Sequence, residues 1–113
     1  MSRDFTYIDD VVFALINLIP VIPKIDFKIN KNVPHEIFNV GNNKTENLEN
    51  FISIIENELN KKAKKIYTDY QLGDVINTSA NIKKINQFIK YEPKTPIEQG
   101  LRLFINWYKN YYK

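Results

Sequence analysis

The sequence predicts a mixed α/β fold of about four helices and a few short strands, in one domain over residues 1–113. Two observations support this fold class. Four segments carry apolar residues at helical spacing, and short β-prone runs stand between them. With 113 residues, 43% of them hydrophobic, the chain is long enough for one small globular domain with a modest core.

The first predicted helix covers residues 11–19. It follows a β-prone run, FTYI at residues 5–8, which predicts a strand. Asp9 and Asp10 are expected to cap the helix, where acidic side chains also suit the helix dipole, and Pro20 ends it. Because this helix is apolar nearly all round, we expect it to be buried against more than one element.

A connection and a second strand are predicted to follow. Residues 20–35 are rich in Pro, Lys and Asn, a composition that predicts a mobile surface connection. Residues 36–41, EIFNVG, predict a short buried strand that ends at Gly41, where glycine permits a turn of the backbone.

The clearest helix pattern spans residues 45–62, in which apolar residues repeat every three or four positions. The predicted apolar stripe consists of Leu48, Phe51, Ile52, Ile55 and Leu59. After this helix, KIYTDY at residues 65–70 predicts a further strand, and YQLGDV at residues 70–75 predicts a loop centred on Gly73.

Two more helices are predicted towards the C-terminus. Asn81 is expected to cap a short helix at residues 82–90. This helix is predicted to bury Ile82, Ile85 and Phe88 or Ile89. The last helix has a complete start signal, with Thr95 as N-cap, Pro96 at the first helical position and Glu98 completing a capping box. Its stripe consists of Ile97, Leu101, Phe104, Ile105 and Tyr108, and Trp107, Tyr111 and Tyr112 extend its aromatic surface.

The composition argues against several kinds of partner. The chain has no cysteine, which excludes disulfides and thiolate metal sites and is compatible with the cytoplasm, the location we predict. No apolar run reaches the ~20 residues of a membrane span, so we expect no membrane partner. The net charge is +3, carried by scattered lysines. We therefore expect a solvated lysine-rich surface, and no nucleic acid as partner.

The residues alone offer little for catalysis. His35 is the only histidine, and its place in the predicted connection favours a solvated loop residue over a catalytic base. Asp9 and Asp10 are neighbours at a helix start, so capping is favoured over an acid/base pair. The three glycines are too far apart for a phosphate-cradling loop. Metal and catalytic sites are therefore not expected.

Polar groups that could meet a ligand remain at four places. They are Arg3, the turn NVGNN at residues 39–43, the loop QLGD at residues 71–74, and Asn77 with Thr78.

The motifs RDFTYIDD, EIFNVGNN, QLGDV with TSAN, and INWYKNYY occur in that order and cover nearly the whole chain. Together they resemble the C-terminal part of the NAD-dependent nucleotide-sugar epimerases, in the extended short-chain dehydrogenase/reductase superfamily. The resemblance is closest to the UDP-glucuronate 4-epimerase branch, whose members typically read RDFTY[IV]DD, YN[IV]GN and QPGDV. It implies that the chain is the small C-terminal substrate-binding lobe of such an enzyme, without the Rossmann domain.

The resemblance also implies a site for the nucleotide diphosphate. Arg3 matches the family arginine near the substrate diphosphate, where a forked guanidinium can hold two oxygens. Asp74 matches an acid at the nucleotide end, where a carboxylate can accept from ribose hydroxyls. Gln71 stands where UDP-galactose epimerases carry a second phosphate-binding arginine, and the glucuronate branch often has glutamine there.

The residues by themselves leave other roles open. Arg3 could be a surface arginine or one that fixes Asp4, and Asp74 could hold the glycine turn through its own backbone. Asn39 and Asn42 are expected to satisfy backbone groups. The sequence also departs from the family pattern, with asparagine in place of the usual aspartate at position 81 and Leu72 in place of the usual proline.

Two family motifs are not in these residues. There is no glycine-rich turn for the NAD pyrophosphate, and no tyrosine is followed four positions later by lysine, as the family's catalytic Tyr-x-x-x-Lys requires. We therefore interpret the chain as a C-terminal piece that is inactive alone, contributes diphosphate and ribose contacts, and binds UDP-sugars weakly. It is expected to bind no cofactor itself, NAD belonging to the complete family enzyme.

Two alternatives stay open beside that interpretation. The chain could be a subunit that completes an active site with a separate Rossmann chain, or a protein-interaction module that has lost the enzyme role. Because helix 11–19 has no polar face, we also predict self-association, most simply as a homodimer.

Overall fold

The chain folds into helices joined to one small sheet, as a computed structural model describes it for residues 1–24, 33–69 and 71–113. Over those residues the helices are α1 (Ile8–Leu18), α2 (Leu48–Leu59), α3 (Lys83–Ile89) and α4 (Ile97–Tyr111). The strands are β1 (Ser2–Arg3) and β2 (Glu46–Asn47), which pair antiparallel with Arg3 opposite Glu46. The predicted mixed α/β class with about four helices is confirmed.

Strand β1 connects two distant parts of the chain through backbone hydrogen bonds. On one side it pairs with β2, and the Leu48 N–H donates to the carbonyl of Met1 at 3.1 Å. On the other side the Ser2 N–H donates to the carbonyl of Ile76 at 2.9 Å, and the Thr78 N–H donates to the carbonyl of Ser2 at 3.3 Å. The start of α2 and the segment around Ile76 are thereby fixed on either side of β1.

One core lies between α1 and α3. Its fully buried members are Ala14, Ile85 and Tyr91. Partly buried side chains pack around them, namely Leu18, Phe38, Val40, Ile82 and Ile89. The Tyr91 hydroxyl donates to the carbonyl of Gly41 at 3.0 Å, and the Asn86 side chain donates to the carbonyl of Tyr91 at 3.0 Å. The polar groups at the centre of this core are therefore paired.

A second packing group is formed by α2 and α4. The buried face of α4 consists of Ile97, Gly100, Leu101 and Ile105. The Phe5 ring stacks on the Phe51 ring of α2, with centroids 4.1 Å apart. Between α2, α4 and residues 5–8 lies an apolar groove of about 400 Å³. The first residues of the chain thus lie between the two packing groups.

Several predicted features are confirmed. The stripe of α2 faces inward, and the helix ends at Asn60 in the left-handed conformation, with φ of 50°. The Asn81 side chain accepts from the Lys83 N–H at 3.1 Å, although the N-cap of α3 is Ile82 and not the predicted Asn81. Ile85 is buried and Ile82 and Ile89 partly so, while Phe88 is exposed.

The predicted strand at residues 5–8 is wrong, because the strand lies at Ser2–Arg3 and α1 already begins at Ile8. The aromatic side chains that gave the run its β propensity are used in packing instead, as the stacking of Phe5 on α2 shows. The predicted capping by Asp9 and Asp10 is also wrong. Both lie in the first turn of α1, whose N-cap is Tyr7 without a side-chain hydrogen bond.

Asp10 instead forms hydrogen bonds with the backbone just before α4. Its carboxylate accepts from the N–H groups of Lys94 at 3.1 Å and Thr95 at 3.2 Å. The N-cap of α4 is Pro96, with no side-chain capping bond, so the predicted capping box of Thr95 and Glu98 is wrong. A carboxylate from another helix binds the backbone where the local motif was expected to act.

Two further predicted strands are wrong. Residues 36–41 make no β ladder, although their burial alternates, with Phe38 and Val40 turned to the core and Ile37 75% exposed. Residues 65–69 make none either and are exposed, and Tyr70 lies outside the described residues. In both cases the described chain supplies no neighbouring strand to complete the hydrogen bonds.

Two expectations about the first half of the chain have different outcomes. Helix α1 has only Ala14 fully buried, so its expected burial against more than one element is not found among the described residues. Of the predicted connection at residues 20–35, residues 25–32 lie outside the described part, and its mobility stays a prediction.

Candidate nucleotide-binding site

Arg3 is held at the end of β1 by two backbone carbonyls. Its Nη1 donates to the carbonyl of Ser2 at 3.0 Å and to that of Ile76 at 3.1 Å. Ile76 follows Asp74 by two residues, so the guanidinium lies against the segment that carries the predicted ribose-binding acid. The strand pairing and these two bonds fix where the cation points.

The carboxylate opposite Arg3 on β2 is engaged elsewhere. Glu46 forms an ion pair with Lys44 at 2.8 Å. The hydrogen bond to Glu46, together with its negative charge, raises the pKa of the Lys44 ammonium. Among the described residues Arg3 takes part in no ion pair, which leaves its charge available to an external anion.

Asp4 does not pair with Arg3, so that alternative for Arg3 is wrong. The Asp4 carboxylate accepts three backbone N–H groups instead, those of Asn42 at 2.7 Å, Asn43 at 3.0 Å and Ala80 at 2.8 Å. The Asp4 N–H donates to the Thr78 hydroxyl at 3.3 Å. One carboxylate thus joins the start of the chain to two loops.

Gln71 and Asp74 stand in a tight exposed turn. The Asp74 N–H donates to the carbonyl of Gln71 at 3.2 Å, and Gly73 between them has φ of +96°. A positive φ at the third position of a turn is typical of type II, where glycine is favoured. Because a Cβ at Gly73 would meet nothing within 4 Å, the glycine serves the backbone conformation and not a close contact.

The turn presents its side chains to solvent. Leu72, the departure from the family proline, is fully exposed at 103%, and residues 71–79 are all exposed. The predicted loop is confirmed, with Gln71 and Asp74 at its two ends. The structure brings Arg3 to the segment that follows this turn, and places Gln71 and Asp74 at the turn itself.

Most of the other polar candidates take part in hydrogen bonds that involve backbone groups. Asn42 and Asn43 offer their N–H groups to Asp4, and Asn43 has φ of 54°. Asn77 forms an isolated parallel β-bridge with Ser2, and the hydroxyl of Thr78 accepts from the backbone N–H of Asp4. Asn39 and His35 are exposed. The expectation that Asn39 and Asn42 satisfy backbone groups stays a prediction, because the contact of Asn42 with Asp4 is made by its own backbone N–H.

The described residues contain no group of three or more His, Cys, Asp or Glu that could hold a metal ion. Within the same ranges no helix is long and apolar enough to cross a bilayer.

Sequence reasoning missed the role of two residues. Asp4 was considered only as a partner of Arg3, and Tyr91 only as the start of a catalytic motif. The available signal for Asp4 was its position between a predicted phosphate ligand and an aromatic run, where a half-buried acid needs several donors. Tyr91 offered no comparable signal.

Comparison with known proteins gives matches over the whole chain. Protein CapI of Staphylococcus aureus is 39% identical over 121 residues, covering 100% of this chain and 36% of that protein. UDP-glucuronate 4-epimerase 1 of Arabidopsis thaliana is 35% identical over 116 residues, covering 99% of this chain and 27% of that protein. No family model matches the chain.

Comparison with solved structures also matches the chain to a UDP-glucuronic acid 4-epimerase. The UDP-glucuronic acid 4-epimerase of Bacillus cereus, solved in complex with UDP-glucuronic acid and NAD, matches with a TM-score of 0.76 and 27% identity. The match covers 98% of this chain and 33% of that one. The chain spans about a third of the length of such relatives.

These matches define the class first. The chain has the fold of the C-terminal portion of an extended short-chain dehydrogenase/reductase. Within that class it is similar to the NAD-dependent nucleotide-sugar epimerases, and to the UDP-glucuronate 4-epimerases among them. The resemblance drawn from the sequence motifs is confirmed.

Proposed function

We propose that this chain is the nucleotide-sugar-binding portion of a 4-epimerase of the UDP-glucuronate/UDP-galacturonate type. The observation that carries the proposal is the setting of Arg3. Its guanidinium is held by two backbone carbonyls and has no ion-pair partner in the described residues. It lies against the segment that follows the loop of Gln71 and Asp74. The relatives supply the ligand, because the Bacillus cereus enzyme was solved with UDP-glucuronic acid.

Each residue of the site has a proposed role. The Arg3 guanidinium retains N–H donors beyond Nη1, and these bind diphosphate oxygens. Asp74 accepts from the ribose hydroxyls, and the Gln71 amide donates to a phosphate oxygen in place of a second arginine. The exposed turn allows a ligand to approach both ends of this loop.

The chain is proposed to be inactive by itself and to bind no NAD. Its 113 residues contain neither Tyr-x-x-x-Lys nor a glycine-rich pyrophosphate turn. In a complete family enzyme NAD takes the hydride from the sugar and returns it, and no residue of the proposed site performs that step. A chain that carries the Rossmann domain would be needed for turnover.

Titration of the purified chain with UDP, followed by NMR, tests the binding role. UDP should perturb the backbone signals of Arg3, Gly73 and Asp74. Arg3→Ala should abolish the effect, since the charge-assisted bonds it removes contribute about 1.5–3 kcal/mol each. Arg102→Ala is the matched control, because it removes the other arginine from the exposed side of α4. Shifts confined to the lysine-rich surface would contradict the proposal.

Calorimetry with NAD and a coupled epimerase assay with UDP-glucuronate test the expected inactivity. The pure chain should show neither heat of binding nor turnover. Measurable turnover would refute the idea that the chemistry requires residues outside this sequence.

A second candidate function is favoured by one observation. The apolar face of α1 is exposed over most of its length, which suits a surface that meets another chain. The partner could be a separate Rossmann chain that completes the active site, or a second copy in a homodimer. If the chain binds protein but no UDP-sugar, the interaction-module alternative replaces the substrate-binding proposal. A cytoplasmic location stays a prediction.

A further inference from the structure

Asp4, the residue after Arg3, joins two loops to the start of the chain. Two of its acceptor bonds come from Asn42 and Asn43, at the end of the segment that packs on the core, and the third comes from Ala80. Bonds from N–H groups to a carboxylate are about twice as strong as neutral ones. The loops are thus anchored on the residue that directly follows the proposed phosphate ligand.

The two loops meet closely at this point. A Cβ added to Gly41 would lie 2.3 Å from the Ala80 Cβ and 3.2 Å from an Asp4 carboxylate oxygen. This approach brings the donors from both loops within reach of one carboxylate. Asp4 also holds the Thr78 hydroxyl through its own N–H. The segment from Ile76 to Ala80 is therefore fixed to the start of the chain at both of its ends.

Arg3 depends on the same segment. Its guanidinium donates to the carbonyl of Ile76, which lies between the Gly73 turn and the anchors on Asp4. We propose that Asp4 is a positioning residue for UDP binding, which holds the loop of Asp74 in register with Arg3 so that both act on one ligand. This inference rests on the proposed function of Arg3 and Asp74.

Electrostatics alone gives the opposite expectation. A carboxylate next to an anion site repels the ligand, so removal of its charge by Asp4→Asn should tighten UDP binding if charge were its only effect. If Asp4 positions the loop, the same change should weaken binding, because an amide oxygen accepts less well and one of the two acceptor oxygens is lost. The direction of the change in Kd therefore separates the two roles.

The experiment compares UDP titrations of the full chain and two matched variants. Asp4→Asn is expected to raise the Kd for UDP at least threefold. Asp9→Asn removes the same charge from the exposed first turn of α1, where the carboxylate makes no hydrogen bond in the described chain, and should leave the Kd unchanged. An equal or lower Kd in folded Asp4→Asn would overturn the inference.

The side-chain signals of the arginines give a second readout. The chain has two arginines, so its Nε–Hε spectrum contains one signal from Arg3 and one from Arg102. Asp4→Asn should shift or broaden the Arg3 signal and leave that of Arg102 in place. A general loss of structure would instead move both signals and the amides of α2 and α4.

A milder variant decides the case if Asp4→Asn unfolds. Thr78→Val removes only the hydroxyl that accepts from the Asp4 N–H, and it should still raise the Kd for UDP, by a smaller factor. An unchanged Kd would then count against the inference. If the wild-type chain shows no UDP-dependent shift at Arg3, the proposed function itself fails. If it binds UDP through Arg3 and both variants bind equally well, only the role of Asp4 fails.

Discussion

Tyr91 is fully buried and links the α1–α3 core to the loop at Gly41. Its hydroxyl donates to Gly41, the residue before Asn42, which is held by Asp4. Burial raises the pKa of the Tyr91 phenol, and the charges of Asp10 and Asp4 raise it further. The neutral phenol is therefore the form that the folded chain requires.

This gives a prediction at alkaline pH. Because the folded pKa of Tyr91 lies above its unfolded value of about 10, its contribution to stability is complete below that pH and is lost as the pH rises through the folded pKa. Tyr91→Phe should lower the free energy of unfolding by about 1–3 kcal/mol near neutral pH, since the buried carbonyl of Gly41 loses its donor. The difference from wild type should shrink above pH ~10.

Urea unfolding of both chains between pH 7 and 11 measures that difference. Tyr111→Phe, at a side chain that is 69% exposed, is the matched control and should change little at any pH. A constant gap between wild type and Tyr91→Phe across this range would show that the phenol does not titrate with folding.

Gly41 gives a second prediction at the residue scale. Gly41→Ala should destabilise the chain by about 1–3 kcal/mol, because the new methyl would overlap the Ala80 Cβ in a closely packed position. Thermal unfolding measures the loss. Ala80→Gly in the same chain removes that contact and should restore part of it. Full stability in Gly41→Ala alone would mean that the two loops separate at little cost.

At the scale of elements, the helices differ in how they begin. The Asn47 side chain accepts from the Glu49 N–H at 2.8 Å and caps α2. The other long helices, α1 and α4, begin without a side-chain cap, and Asp10 of α1 binds the backbone just before α4. The start of α2 is therefore stabilised locally, whereas the start of α4 depends on contact with α1.

The local cap can be tested by Asn47→Ala. Loss of an N-cap side chain costs about 1 kcal/mol of helix or protein stability, and we expect a loss of that size in the free energy of unfolding. Asn50→Ala, on the exposed side of α2, should be neutral or slightly stabilising, because alanine has the higher helix propensity. Equal effects of the two changes would argue against capping.

At the scale of the whole molecule, the chain is elongated. Its radius of gyration is 18.1 Å, against about 13 Å for a compact chain of 100 residues. The single domain over residues 1–113 stays a prediction, and within it α1 keeps an uncovered apolar face. The exposed large apolar residues of α1 and its C-cap are Ile8, Val12, Phe13, Leu15, Ile16 and Ile19, between 41% and 82% exposed.

We predict that the purified chain self-associates through this face, most simply as a two-fold dimer. An exposed apolar patch of several hundred Å² is unusual for a soluble monomer. Light scattering at micromolar concentration should give about twice the monomer mass, and Ile16→Lys should return it to the monomer. Ile66→Lys, at an isoleucine that is 79% exposed away from α1, is the control. A monomeric wild-type chain would refute the prediction.

The sequence by itself determined the elements that depend on neighbours along the chain. The stripe of α2 follows from helical spacing, and the Gly73 turn from the conformational freedom of glycine. The order of the motifs also predicted the similarity to the nucleotide-sugar epimerases. These features could be predicted because their physical causes lie within a few residues of each other.

Only the tertiary structure decided which backbone N–H groups donate to the Asp4 and Asp10 carboxylates, and which β-prone runs become strands. The Asp4 carboxylate binds N–H groups 38, 39 and 76 residues away, and Asp10 binds others 84 and 85 residues away. A strand likewise needs a neighbour, which residues 36–41 and 65–69 lack within the described chain. A hydrogen-bond partner that distant leaves no periodic trace in the sequence. Only the folded structure shows that Asp4, one residue beyond the predicted ligand Arg3, joins two loops to the start of the chain.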